Sequence, residues 1–228
     1  SLIDLETRGG PLTVGPSNME SWVSLESDSR KAVGVNFFSF WGSHVRGSAW
    51  RGFESRVIVR PAPNIELSAG PAYNWSFTKA QWITNIDDDG DRIQDHYVFG
   101  ELTSHVLDVT TRANVTFSRN LSVQFYLQPF VAVGHYGTIK ELARPSSYEF
   151  TPYSGLGFNP DFNSRSLRSN LVLRWEYRPG STLFLVWSQS RSAFSQNPQF
   201  RPLQSLRDSF SDTGPNIFMI KVNYWLSV

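Results

Sequence analysis

Hydrophobic and polar residues alternate along most of this chain. The alternation is clearest in residues 167–177, where large apolar side chains share one parity and polar side chains share the other. The apolar parity there holds Leu167, Leu171, Leu173, Trp175 and Tyr177. Because successive side chains of a β-strand point to opposite faces, this segment is predicted to be a strand with one apolar and one charged face.

The same pattern predicts an all-β chain, with no helical periodicity and no internal repeat. We expect about ten strands, near residues 1–8, 19–27, 31–43, 51–60, 65–86, 92–117, 121–133, 167–177, 182–193 and 218–228.

Short turn sequences separate several of these strands, at residues 28–30, 61–63, 118–120 and 179–181. A three-residue hairpin loop keeps the apolar residues of its two strands on the same parity. All four hairpins obey this rule, in the pairs Leu25 and Val33, Val59 and Ile65, Phe117 and Leu121, and Tyr177 and Leu183. The agreement favours a continuous antiparallel meander.

Two kinds of fold produce such strands: a soluble sandwich with a buried apolar face, and a transmembrane barrel whose apolar face meets lipid. The remaining connections, at 9–18, 43–48, 87–91, 138–165 and 194–215, are long and rich in Gly, Pro, Ser and Asp. Short turns at one end and long loops at the other are typical of outer-membrane barrels. We therefore predict an antiparallel transmembrane β-barrel over residues 1–228, complete or as the C-terminal portion of a larger barrel.

The amino-acid composition excludes several classes of protein and several kinds of site. Hydrophobic residues make up 40% of the chain and no apolar run reaches 18 residues, so a transmembrane helix is excluded. Aromatic residues reach 14%, which suits the interfacial girdles of membrane barrels. The absence of cysteine excludes disulfides and thiolate metal sites. A net charge of +1 without a basic run argues against nucleic-acid binding. The chain opens on Ser1 without a signal peptide, which we interpret as a processed or truncated start.

Several phrases resemble a known family. They are TRGGPL at 7–12, SDSRKAV at 27–33, KELARPSSYEF at 140–150 and the long segment 159–191. They are similar to the C-terminal part of bacterial outer-membrane proteins of the domain-of-unknown-function 5916 family. The resemblance implies an outer-membrane location and, in longer members, a carbohydrate-binding-module-like domain before a large barrel. The family has no assigned activity, so it implies no catalytic residues.

Twelve polar residues on the parity opposite the apolar side chains are predicted to face the lumen. They are Glu54, Arg56, Asp108, Arg112, Gln124, Gln128, Arg168, Asn170, Arg174, Glu176, Lys221 and Asn223. One hypothesis is that they conduct or bind a polar solute, carbohydrate included. The other is that they fill the lumen with ion pairs, so that the barrel is a structural anchor for partner domains or proteins.

Two groups of residues are weak metal candidates. Asp87, Asp89 and Asp91 alternate as in the first half of a calcium loop, but His96 stands at the twelfth position, and a hairpin tip explains the sequence equally well. His105 and His135 are predicted to be diagonal neighbours on adjacent strands, without a third ligand.

No catalytic motif is present, so we expect a protein that is not an enzyme and has no cofactor. The expected partners are the lipid bilayer, a polar solute or carbohydrate, and other outer-membrane or periplasmic proteins. The long segment 138–165 is expected either to bind carbohydrate or to pack against segment 194–215.

Overall fold

The chain forms one large antiparallel meander. The computed structural model describes residues 2–3, 7–28 and 30–226. Nine long strands follow one another across the sheet, each paired with the next long strand in the sequence. They are β3 (Asn18–Glu26), β4 (Val33–His44), β5 (Ala49–Ala62), β6 (Ile65–Ile86), β7 (His96–Ser118), β8 (Leu121–Leu142), β10 (Phe162–Arg178), β11 (Ser181–Ser195) and β12 (Asn216–Asn223).

The sheet is open within the described residues. Its order runs from β12 to β3, and no register joins these two edge strands. The prediction of an all-β antiparallel meander is confirmed, whereas closure into a barrel is not a feature of this structure. Because seven antiparallel strands lie between the two edge strands, β3 and β12 run in the same direction, from the long-loop end toward the short-turn end.

The predicted hairpins reach the expected parity by a different geometry. Three of the connections are two-residue turns, at 63–64, 119–120 and 179–180, and each is preceded by a register shift in the adjoining strand. One bulged residue plus a two-residue turn preserves parity as a three-residue loop does. In the first hairpin, Ser29 lies outside the described residues.

The chain termini and long loops depart from the sequence prediction. Among the described residues of the strand expected over 1–8, Leu2–Ile3 form β1, which pairs with β2 (Thr13–Val14) in a separate two-stranded sheet. Segment 138–165 contributes the last residues of β8 and the first of β10, and it holds the short β9 (Phe150–Pro152), which pairs antiparallel with the end of β8. Segment 194–215 contains α1 (Pro202–Asp208), although no helix was predicted. No helix in the described part of the chain is long and apolar enough to cross a bilayer.

The register separates the side chains into two faces. Between the bulges beside the short turns and the bulges near Gly100, odd-numbered residues of β3 to β11 and even-numbered residues of β12 share one face, here called the apolar face. Its exposed large side chains are Met19, Val23, Leu25, Val33, Val35, Trp41, Val57, Leu67, Phe117, Trp175, Tyr177, Leu185, Phe218, Ile220 and Val222. The opposite side is here called the polar face.

The buried core lies toward the long-loop end of the central strands. Val98, Phe99, Val131, Val133 and Leu167 are almost fully buried there. The segment from 196 to 215 lies over the apolar face at this height. Phe200 stacks on His105 with ring centroids 4.6 Å apart, and Arg165 donates to Asp212 at 2.7 Å. The core is therefore built by loops folding over the sheet, away from the short-turn end.

Gly70 marks a close approach between strands. A Cβ added there would lie 1.8 Å from the Ser55 carbonyl oxygen. We expect Gly70→Ala to lower the free energy of unfolding by about 1–3 kcal/mol, as overpacking does. Gly137→Ala is the control, because its added Cβ would meet nothing nearer than 3.9 Å. Chemical unfolding followed by tryptophan fluorescence measures both, and equal stability of the two variants would contradict the close approach.

Candidate functional site: the polar face of the sheet

All twelve polar residues singled out from the sequence lie on the polar face. Registered rows of this face include Glu54, Ala72 and Asp108 across β5, β6 and β7, and Arg112, Tyr126 and Asn170 across β7, β8 and β10. Because residues in register share a face, the alternation of the sequence assigns these side chains correctly. Whether this face lines a lumen stays a prediction.

Only some of the charged residues on this face are paired. Arg174 donates to Glu176 at 3.1 Å, and Arg56 lies 3.9 Å from Glu54. Lys221 lies over the Phe184 ring at 5.9 Å. Such exposed pairs each contribute at most about 1 kcal/mol, so the face is not held together by buried ion pairs.

A hydrogen-bond network surrounds Asp108. Gln128 donates to Asp108 Oδ1 at 3.1 Å and Thr110 donates to the same oxygen at 3.2 Å. The Tyr126 hydroxyl in turn donates to Gln128 Oε1 at 2.7 Å. These bonds fix the orientation of the Gln128 amide. The Asp108 carboxylate thus has uncharged hydrogen-bond donors, Gln128 and Thr110, as its partners.

Arg112 lies beside this network without a carboxylate partner in the described part of the chain. Its guanidinium lies over the Tyr126 ring, 4.9 Å from the centroid. A cavity of about 390 Å³ opens next to it, and its lining includes Asn114, Gln124 and Asn170. The sequence analysis did not name Asn114 on β7 or Tyr126 on β8 as site residues, although both have the even parity of the polar face.

A second cavity of about 240 Å³ lies nearer the β3 edge. Its lining includes Glu26, Asn36, Phe38, Glu54 and Arg56. Aromatic rings continue from it on the same face, with Phe38 centred 6.3 Å from Trp22 and 5.9 Å from Phe40. The sequence analysis missed these aromatic residues because they occupy the parity that it treated as polar.

The aspartate loop between β6 and β7 differs in one residue from the calcium candidate. Carboxylate oxygens of Asp87, Asp89 and Asp95 lie within 4.8 Å of one another, whereas Asp91 accepts from the Ile93 amide instead. Asp87 already accepts from the amides of Gly90 and Arg92. Gly90 has a φ of +77°, as in a tight turn. The loop is thus ordered by its own backbone amides.

His96 connects this loop to the rest of the sheet. Its Nδ1 faces Glu141 on β8, and its Nε2 lies 3.1 Å from Asp88 in the loop. The Tyr153 ring is centred 4.9 Å from the imidazole. The hydrogen bond to Glu141, reinforced by Asp88, raises the pKa of His96. The residue at the twelfth loop position therefore bridges two carboxylates.

His105 and His135 are diagonal neighbours on the apolar face, as predicted, because Thr103 is in register with His135 and His105 with Val133. Their side chains have separate partners. His105 Nδ1 lies 2.9 Å from the Tyr73 hydroxyl, and His135 Nδ1 lies 3.0 Å from Asp161. They form no metal cluster among the described residues.

The bridge at His96 predicts a pH-dependent stability. A raised folded pKa stabilises the protein fully below the unfolded value of 6.5, and this contribution is lost as the pH rises through the folded pKa. We expect the melting temperature of the wild type to exceed that of His96→Gln most at pH 5.5 and least at pH 8.5. Thermal unfolding across this range measures the difference. His44→Gln is the control, and a gap that widens with pH would contradict the bridge.

Comparison with known proteins adds one match. A family profile described as a domain of unknown function (DUF5916) matches residues 6–228. No curated protein and no solved structure matches the chain. Since the profile covers nearly the whole sequence, the chain belongs to the domain-of-unknown-function 5916 family.

Proposed function

We propose that this sheet is part of a transmembrane β-barrel in a bacterial outer membrane, and that its polar face provides passage or binding for a polar solute. The proposal has two parts: a location, supported by the apolar face, and an activity, supported by the polar face.

One observation carries the location: the apolar face is exposed and uncharged toward the short-turn end. Phe218, Ile220 and Leu25 are 76%, 72% and 63% exposed. From the short turns upward, the first His, Lys, Arg, Asp or Glu residues on this face lie well along the strands. They are Arg51, Lys79, His105, His135, Arg165 and Arg191. Arg178, directly beside the turn at 179–180, is the exception, because the bulge before it brings it into register with Ser181 on this face. An exposed apolar surface of this extent is typical of a surface that contacts a membrane or another protein.

The height of this uncharged surface suits a bilayer. On β11 it extends over residues 181–190, from the start of the strand to the residue before Arg191, and on β5 over residues 52–62, from the end of the strand back to the residue before Arg51. A tilted strand crosses the hydrocarbon core with about 9–11 residues. The further length of β6, β7 and β8, at 22, 23 and 22 residues, then extends beyond the bilayer on the long-loop side.

The polar face supports a path for a hydrated solute. Its side chains are exposed at Glu54, Arg56, Arg112, Arg168 and Asn170, and all of these except Arg168 line open cavities. Hydroxyls, amides and charges in these positions replace the hydration of a polar solute. The alternative function, a structural anchor with a filled lumen, needs the same residues to be occupied by one another, and the few ion pairs on this face favour the open arrangement.

The location predicts different costs for one substitution on the two faces. Leu173 lies on the apolar face at mid-height, and its neighbour Val172 lies on the polar face. We expect Leu173→Arg to cost about 2–4 kcal/mol of folding free energy in a bilayer, because the guanidinium then enters hydrocarbon. Reversible folding into lipid vesicles measures this cost.

Val172→Arg is the matched control, since it introduces the same side chain one residue away. It should cost clearly less, as should Arg174→Gln, which leaves Glu176 on an exposed face. Equal costs for Leu173→Arg and Val172→Arg would contradict a lipid-facing apolar side.

The activity predicts solute flux. Vesicles that contain the protein should swell in isosmotic solutions of small sugars, and planar bilayers should show conductance steps in KCl. Vesicles prepared with Leu173→Arg, which inserts poorly, should show neither swelling nor conductance steps. Absence of flux and conductance from a correctly folded, complete barrel inserted in the membrane would overturn passage and support the structural anchor.

A further inference from the structure

Four arginine residues of the polar face fall into two groups. Arg56 and Arg174 lie beside Glu54 and Glu176. Arg112 and Arg168, in contrast, have no carboxylate within ion-pair distance in the described part of the chain. The two lie on neighbouring rows of the same region, because Arg112 is in register with Tyr126, and Arg168 with Gln128 two residues further along β8.

The surroundings of Arg112 supply hydrogen-bond donors. Asn170, Asn114 and Gln124 share its cavity of about 390 Å³. Asn170 Oδ1 accepts from the Ser188 hydroxyl at 3.2 Å, which leaves the amide NH₂ of Asn170 as the available group. Adjacent strands lie about 4.8 Å apart, so Arg112 and Asn170 are separated by about 10 Å across the sheet. A small group fits between them.

The nearby carboxylates are engaged by other groups. Glu66, in register with Asn114 on the neighbouring strand, accepts from Arg60 at 2.8 Å. Asp108, four residues from Arg112 along β7, is displaced by about 13 Å at the strand rise. Its Oδ1 is already an acceptor for Gln128 and Thr110. The Tyr126 ring also supports the guanidinium from one side, which holds the planar donors in place. The region therefore combines fixed positive charge with amide donors, and the carboxylates nearest to it, Glu66 and Asp108, already have partners of their own.

We propose that Arg112, with Asn114, Gln124 and Asn170, binds an anionic group: a carboxylate, sulfate or phosphate carried by the solute. A guanidinium offers paired N–H donors that match the oxygens of these groups. The cavity volume accommodates a small organic acid or a phosphate monoester. Arg168, on the adjacent row, attracts the same charge toward the site. This inference deepens the proposed function, on which it rests for the route by which a solute arrives.

Equilibrium binding tests the site without requiring conduction. Calorimetric titration of inorganic phosphate into the detergent-solubilised protein, at constant ionic strength, should show saturable binding. Arg112→Gln should weaken the affinity by about 10- to 100-fold, the range for a lost charge-assisted bond. Arg112→Lys keeps the charge but loses the planar guanidinium, so its phosphate affinity should lie between those of the wild type and Arg112→Gln.

Arg51→Gln is the matched control. Arg51 lies over the Trp75 ring at 4.9 Å, the same cation–π distance as Arg112 to Tyr126, but on the apolar face. It should leave phosphate affinity unchanged. Absent binding by the folded wild type, equal affinity of Arg112→Gln and wild type, or an equal loss in Arg51→Gln would each overturn the site.

Ion selectivity separates this inference from the proposed function. Under a KCl gradient, the wild-type reversal potential should indicate preference for chloride, and Arg112→Gln should shift it toward zero, whereas Arg51→Gln should not. Phosphate binding that depends on Arg112 in a protein without conductance would retain the site and overturn passage. Conductance that is indifferent to Arg112→Gln, without phosphate binding, would retain passage and overturn the site.

Discussion

Strand register holds the two faces of this sheet apart. Each strand from β3 to β12 is bonded to its neighbour so that apolar residues meet apolar residues in register, as Leu173 meets Leu185 and Val123. A shift of one residue in any strand would exchange its two faces and place Arg174 among the leucines. The bulges beside the short turns preserve this order, because each adds the one residue that a two-residue turn lacks. Both the exposed apolar surface and the cluster around Arg112 depend on this constraint.

The two ends of the sheet are stabilised by different means. Toward the long loops, the chain buries its own apolar residues, with Phe99 and Val131 fully enclosed and Phe200 stacked on His105. Hydrogen bonds tie the loops to one another, as between Gln196 and the Asn159 carbonyl at 2.8 Å. Toward the short turns, the apolar side chains have no protein cover among the described residues. The free energy from burying these side chains must come from another phase or another surface.

Local rules were sufficient to predict much of this arrangement. Alternation with a period of two identified the strands and the face of every polar candidate, because both depend only on near neighbours in the sequence. Contacts between distant residues were not predictable in this way. His96 meets Glu141 across 45 residues, and Asp95 replaces Asp91 beside Asp87 because the loop turns on Gly90. The helix α1 has seven residues, too few for a periodicity to emerge, and it is held by the Arg165 ion pairs with Asp208 and Asp212.

The common direction of β3 and β12 restricts how their free backbone groups can be satisfied. Direct pairing would create a single parallel ladder in an otherwise antiparallel ring, and a second copy inserted with the same orientation presents the same mismatch at each seam. An antiparallel ring contains an even number of strands. In the proposed barrel, closure by antiparallel pairing alone would therefore require one, three or another odd number of strands besides these nine, and the outermost of them would run opposite to both edges.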